Sequence, residues 1–422
     1  MASPLRLLRG RVPSDRLPGP TITKPDPDDP EIQIHGCWLF LTWHRLYLYF
    51  HERILGKLIG DKNFALPFWN WDAPDGMTFP AIYTNETSPL YNNNRNPNDQ
   101  PPATVDLDYS CNDDEPLPSE ELIIRNLNIM YRQMVSGAKT QTLFFGHRYC
   151  QGDRPRPGAG TIELQPHNLV HDWTGDPSRN HGEDMGVLGT AARDPVFFAH
   201  HGNIDRMWYI RRNCLRPGNT NFTDSDWLDA RFLFYDEEAR LVRVRVGDCL
   251  DTRALGYTYQ DVEIPWLNAR PTPAAGGYQL EPANRPAAAL PRTPLGDTTV
   301  RVEVTRARTS RGAEEKRKEE EVLVIEGIRI ADPKRCVKFD VFVNAPRGGA
   351  ADAAAVQCAG SFALTPHAMG GSFVTAATFG ITELLDAIGA DQDKKVVVSI
   401  VPRAGGDTVT IGGVGIDYIP IE

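Results

Sequence analysis

Half of the chain's ten histidines fall into two groups, His35 with His44, and His167 with His171 and His201. Neutral imidazole is a borderline ligand that serves a redox metal in both its one-plus and two-plus states. Carboxylates favour hard ions instead, and a set of thiolates traps the reduced form. Shells made of histidine therefore fit copper, and two such shells side by side fit a copper pair that exchanges two electrons with dioxygen. His167 and His171 stand four apart, on one face of a helix, and His201 follows thirty residues later in "FAHHGNIDRMW". His35 and His44 stand nine apart around "WLFLTW". His200 precedes His201 on the same helix and is expected to point elsewhere, as a group at the rim. His51 lies two turns beyond His44, about 10 Å along the axis, too far to share one ion. It reads as an ordinary helix histidine. His147, His181 and His367 belong to no ligand pattern and read as structural.

Helices have to carry these imidazoles. From Trp38 to Leu58 apolar and aromatic residues recur at helical spacing with no Pro or Gly before Gly56, which predicts one long buried helix. "PHNLVHDW" reads as a second helix with Pro166 in its first turn, and "ARDPVFFAHHGNIDRMWYIRRN" as a third that opens at Asp-Pro. A further helix is predicted over "SEELIIRNLNIMYRQMVSG", its "SEEL" opening serving as a cap. The Pro/Asn-rich passage before it is expected to be a long surface loop. After Tyr259 the character changes. "ARPTPAAGGYQLEPANRPAAALPRTPLG" is a linker, and beyond it "TTVRVEV", "EEVLVIEGIRI", "CVKFDVFVN", "KKVVVSIVP" and "TVTIGG" are short β-branched runs. The fold class expected is a mainly α domain, a helical bundle carrying a dinuclear copper site, followed by a β-sandwich-like domain. The boundaries drawn are an extended N-terminus over residues 1–30, the copper domain over 31–267, the linker over 268–297 and the β domain over 298–422. Within the last, the mixed-charge run "RARTSRGAEEKRKEEE" is expected to be a solvated hairpin loop.

At 422 residues the chain is long enough for two such cores. A formal charge of −10 argues against nucleic acid, whose phosphates reward a basic face. Apolar runs such as "VVVSIV" are far shorter than the roughly 20 residues that cross a bilayer, so no membrane span is expected. Seven cysteines without C-x-x-C spacing make a zinc site or thioredoxin chemistry a poor fit, and the odd count leaves at least one thiol free. Cys37, two residues after His35, invites a thioether to an imidazole, but a small buried residue is the preferred reading.

These motifs resemble the plant polyphenol oxidases, the catechol oxidases and tyrosinases with a coupled dinuclear copper site. The likeness runs from about Glu31 through "LPFWNWDAP", "DWLDARFLFYDE", the tyrosine pair of "GYTYQ" and "CVKFDVFVN". It implies that His35 and His44 are two of the three ligands of a first copper, and that His167, His171 and His201 are all three of a second. The family's remaining ligand and its thioether cysteine lie upstream, and residues 1–34 hold neither histidine nor cysteine. The likeness also implies that Glu163 and Asn168 hold a water that deprotonates monophenols, that Leu188 is the substrate gate over the second copper, and that the C-terminal β domain covers the active-site mouth. Asp205 is read as an acceptor that orients an imidazole or Arg45, and Tyr257 and Tyr259 as packing. The activity implied is oxidation of catechols to ortho-quinones with dioxygen, with monophenol hydroxylation alongside. An impaired relative that binds at most one copper and a dioxygen carrier are the alternatives. The partners expected are a small phenol and dioxygen, with the oligomeric state left open. The implied compartment is the chloroplast thylakoid lumen, although "MASPLRLLRGRVPSDR" lacks the length and apolar core of an intact transit signal.

Overall fold

The computed structural model describes residues 5–6, 15–16, 34–111, 117–149, 158–179, 182–216, 222–272, 290, 293–345, 352–367 and 371–421. His181, Cys150 and most of the expected linker lie outside them.

Four helices frame the first part. α1 spans Leu39–Leu58 and buries Leu39, Phe40, Leu46, Tyr49 and Phe50, the face that its apolar spacing predicts. α2 covers Ser119–Tyr131 and runs on as a wider turn over Arg132–Ser136; it starts at Pro118 with no side-chain cap, so the expected cap is not used. α3 covers Asn168–Thr174, preceded by a distorted turn in which Gln165 is extended (φ −155°, ψ 124°). Pro166 therefore sits just ahead of α3 rather than inside it. α4 covers Val196–Ile210 and packs on α1. The core between them is aromatic: Trp69, Trp71, Trp208, Trp227 and Trp266 are fully buried, and such side chains dominate core burial. A hairpin of Arg231–Tyr235 and Leu241–Arg245 closes one side. Asp15–Arg16 pairs onto that hairpin, and Leu5–Arg6 pairs with Tyr257–Thr258.

The Pro/Asn-rich passage is not simply a surface loop. Arg95 is buried and forms an ion pair with Asp194 at 2.7 Å, while Val105 and Leu107 enter the core. A charge can be buried there because the carboxylate takes two guanidinium N–H groups.

The second part is two four-stranded antiparallel sheets around one apolar core. One sheet runs Val300–Thr305, Lys395–Ala404, Val337–Val343, Cys358–Leu364. In the other, Phe373–Gly380, Val409–Thr410 and Gly413–Pro420 all pair with the long strand Glu319–Ile330. Leu323, Ile325, Phe339, Val341, Val398 and Ile400 fill the space between. The mixed-charge run departs from expectation. Its middle, with a short helix over Ala313–Lys318, is solvated, whereas Arg306 and Glu321 at its ends form a buried two-pronged pair at 2.7 and 2.9 Å.

Where the two parts meet, Lys338 Nζ is buried between Asp108 Oδ1 at 2.9 Å and Asp340 Oδ1 at 2.8 Å. Lys139 pairs with Glu320, and the Tyr131 hydroxyl donates to Glu383. A disulfide joins Cys111 to Cys336; Cys37, Cys214, Cys249 and Cys358 are free thiols. Cys37 is a small buried residue of the core. No helix among the described residues is long and apolar enough to cross a membrane.

Candidate metal centre

His167, at the end of the turn that leads into α3, and His171 on α3 stand 4.6 Å apart between ring centroids, and α4 sets His201 against both at 4.9 and 5.4 Å. α1 supplies His44, which stacks on His201 at 4.1 Å and 9°. His35 comes from the turn ahead of α1, 5.5 Å from His44 and 6.3 Å from His167. Gly36 makes that turn in the left-handed region (φ +71°), which glycine adopts without strain. Its N–H donates to Glu163 Oε1 at 2.7 Å. All five expected imidazoles thus converge.

Three of them have an acceptor on the outward nitrogen. Nδ1 of His44 meets the Phe40 carbonyl at 2.8 Å, Nδ1 of His171 the Met185 carbonyl at 2.9 Å, and Nδ1 of His167 the Asn168 Oδ1 at 2.9 Å. Each acceptor fixes the proton on Nδ1 and leaves the Nε2 lone pair facing inward. His171 Nε2 lies 3.2 Å from His201 Nε2, and the buried His167 Nε2 meets no hydrogen-bond partner. Burial, then mutual repulsion, holds His35, His167 and His201 below the ordinary imidazole range. Burial takes His44 down to about 3 and His171 to about 4. The rings are neutral at pH 7, the state in which imidazole ligates. Such a converging, neutral, buried donor set fits a copper ion.

His200 does not point elsewhere. Its ring sits within 5.3 Å of His167, His171 and His201, and the four together make up the tightest cluster of candidate ligands. Its Nδ1, however, accepts the Trp71 indole N–H at 3.1 Å, so its Nε2 carries the proton and has no lone pair to offer. On the other side, the described residues set no third ligand atom with those of His35 and His44.

A cavity of about 140 Å³ opens beside His35, lined by Glu163, Asn168 and Leu188 from the helical part and by Phe362, Ala363, Leu364, Thr365, His367 and Phe373 from the β part. His367, read as structural, therefore faces this cavity, 6.2 Å from His35 between ring centroids. Nothing in its local sequence marks it. Burial pushes Glu163 up to about 8, and its Oε2 is buried without a partner. Asn168 is committed on both ends: Oδ1 to His167, and Nδ2 to the Ala363 carbonyl at 2.8 Å. The Leu188 N–H donates to the Pro366 carbonyl at 3.2 Å, so the expected gate is roofed by the β part rather than open.

Around the centre, Asp205 orients no imidazole. It accepts Arg45 Nε at 2.6 Å and the hydroxyls of Tyr257 and Tyr259 at 2.6 and 2.5 Å. The tyrosine pair does more than pack, since it caps this carboxylate. Asp72 plays a like role, which the sequence reading missed, taking Asn203, Arg206 and the Trp266 indole. His51 stacks on Phe198 at 3.6 Å, away from the cluster.

Comparison with known proteins agrees with this architecture. Residues 17–213 match the common central domain of tyrosinase, 221–272 the polyphenol oxidase middle domain, and 293–418 the chloroplastic polyphenol oxidase C-terminal domain. Aureusidin synthase of Antirrhinum majus is 48% identical over 396 residues, covering 92% of this chain and 70% of its own length. The chloroplastic polyphenol oxidase of Malus domestica is 48% identical over 408 residues, covering 92% and 68%. Among solved structures, latent apple tyrosinase superposes with a TM-score of 0.82 at 48% identity, over 92% of this chain and 84% of that one. A latent aurone synthase gives 0.86 at 38% identity, over 93% and 78%.

Proposed function

The chain belongs to the polyphenol oxidase family of tyrosinase-type copper oxidoreductases, and from that premise we propose that it oxidises ortho-diphenols to ortho-quinones with dioxygen, hydroxylating monophenols at the same site. His167, His171 and His201 hold one copper, and His35 and His44 contribute to its neighbour. When bound, copper supplies the electron exchange with dioxygen: two catechols give up four electrons and four protons, and one dioxygen leaves as two waters.

The protein supplies the rest. Acceptors on Nδ1 of His44, His167 and His171 fix the tautomers and ring directions. The apolar walls formed by Leu164, Leu188, Phe362 and Phe373 take an aromatic ring flat, while His35, Glu163 and Asn168 face its hydroxyl end. A phenol holds its proton with a pKa near 10, so a base must remove it. Glu163, raised to about 8 by burial and with Oε2 unpartnered, takes that proton in its ionised form, either directly or through a water shared with the second Asn168 amide N–H. The observation that carries this reading is the set of inward Nε2 nitrogens beside a cavity walled for an aromatic ring. Following the printed names of its relatives, we propose the chloroplast as the compartment, and the thylakoid lumen within it.

The pair of imidazoles on the His35 side favours a second reading, one copper per chain with poor turnover. Copper analysis together with oxygen uptake on a simple catechol decides between them. Two coppers with turnover support the oxidase, and one copper without turnover supports the impaired relative. Reversible oxygenation without quinone would overturn both in favour of a carrier.

A further inference from the structure

One covalent bond crosses the seam between the two parts. Cys111 ends the Pro/Asn-rich passage and Cys336 immediately precedes strand Val337–Val343; the two are joined across a sequence separation of 225 residues. Cys336 is attached directly to the roof of the cavity. Three residues before it, Pro333 lines the cavity and its carbonyl accepts the His367 backbone N–H at 2.8 Å. Just after it, Val337–Val343 pairs along Cys358–Leu364, whose far end supplies Phe362, Ala363 and Leu364 to the same roof.

The bond is open to attack. Both cysteines are partly exposed and line a groove of about 260 Å³ with Lys334 and Arg335, cations that favour thiolate during exchange. The buried thiols are the opposite case: desolvation pushes Cys37 and Cys249 up to about 12 and Cys358 to about 11. Beneath the bond, Asp172 Oδ2 lies 3.7 Å from Cys336 Sγ.

We propose that Cys111–Cys336 is a redox latch on the roof of the cavity. While it is closed, the β part stays seated over His35, Glu163 and Leu188; when a dithiol reductant opens it, the roof lifts more often and bulkier phenols enter. In the exchange one reductant thiolate attacks a sulfur to give a mixed disulfide, and its second thiol displaces the protein. Two cysteine thiols form and the reductant leaves as its own disulfide, two electrons and two protons having moved. The effect on phenol entry rests on the active-site reading above; the effect on the roof does not.

The test uses the full chain. Peptide mapping without reductant is expected to find Cys111 and Cys336 in one cross-linked pair. In Cys111→Ser, in Cys336→Ser and in the double variant, the backbone N–H groups of Ala363, Leu364, Thr365 and His367 exchange with solvent about tenfold faster, because reseating is no longer held by a short covalent tether. Oxygen uptake rises more with a bulky diphenol than with catechol, and the control Cys214→Ser changes neither readout. Free thiols at both positions in the isolated protein, or unchanged exchange at 363–367 in folded variants, would overturn the latch. If the serine variants do not fold, the same exchange measurement on dithiol-treated, alkylated wild type decides it on the same terms. Faster exchange without any change in uptake would uphold the latch and sink the active-site reading.

Discussion

Two adjacent histidines on α4 carry opposite expectations, and the difference lies in one proton. His201 presents its Nε2 to the centre, 3.2 Å from His171 Nε2, whereas His200 spends its Nδ1 on Trp71. His201→Gln is therefore expected to lose one copper equivalent per chain by elemental analysis, and His200→Gln to keep its copper. Glu163→Gln should abolish monophenol hydroxylation while sparing much of the catechol oxidation, read as the ratio of the two rates. It also carries a pH signature in the copper-free protein. Glu163 is raised from its ordinary 4.5 to about 8 by burial, so between those values the folded chain holds a proton that the unfolded chain has lost. Stability must fall as pH rises through that window, by at most roughly 1.4 kcal/mol per unit. Chemical denaturation at several pH values should show wild type carrying this slope and Glu163→Gln lacking it. The five convergent imidazoles were legible because ligand spacing is local. His367 was not, because its place beside His35 is created by a domain contact that leaves no local pattern.

The helices were legible for a similar reason: α1 writes its buried face into the apolar period, while α4, buried almost all round, was marked by its Asp-Pro opening. Charged residues misled, since a run of mixed charges reads as solvated unless the partner is known. Arg306 finds Glu321, and Arg95 finds Asp194 99 residues further on. The strongest knot between elements is Asp205 on α4, which ties Arg45 on α1 to the two tyrosines past the hairpin. Asp205→Asn leaves the Arg45 guanidinium buried without a counter-charge, a defect worth about 3–5 kcal/mol. Thermal unfolding should report it as a large drop in melting temperature. Because α1 carries His44 one position before Arg45, copper retention is expected to weaken in the same variant. A melting temperature within a degree of wild type would show that the knot contributes little.

The two parts of the molecule were visible as a change from helical to alternating patterns, and the resemblance implied that the second covers the site, but the residues that meet were not legible, because each contact joins residues far apart in the chain. Lys338 shows what that seam holds. Lys338→Met takes the nearest cation from Asp108 and leaves Asp340 with Arg403 alone, and is expected to cost about 3–5 kcal/mol in a denaturant titration. Phe373→Ala removes a wall of the cavity without touching a charge, and should lower KM for a bulky diphenol more than for catechol. One side chain joins the two scales. Asn168 holds the His167 ring through its oxygen and the Ala363 carbonyl through its nitrogen, so any loosening of the β part frees the amide that aims the imidazole. Uncovering should then be audible at the metal itself: the copper spectrum of covered and uncovered protein ought to differ even with no substrate present.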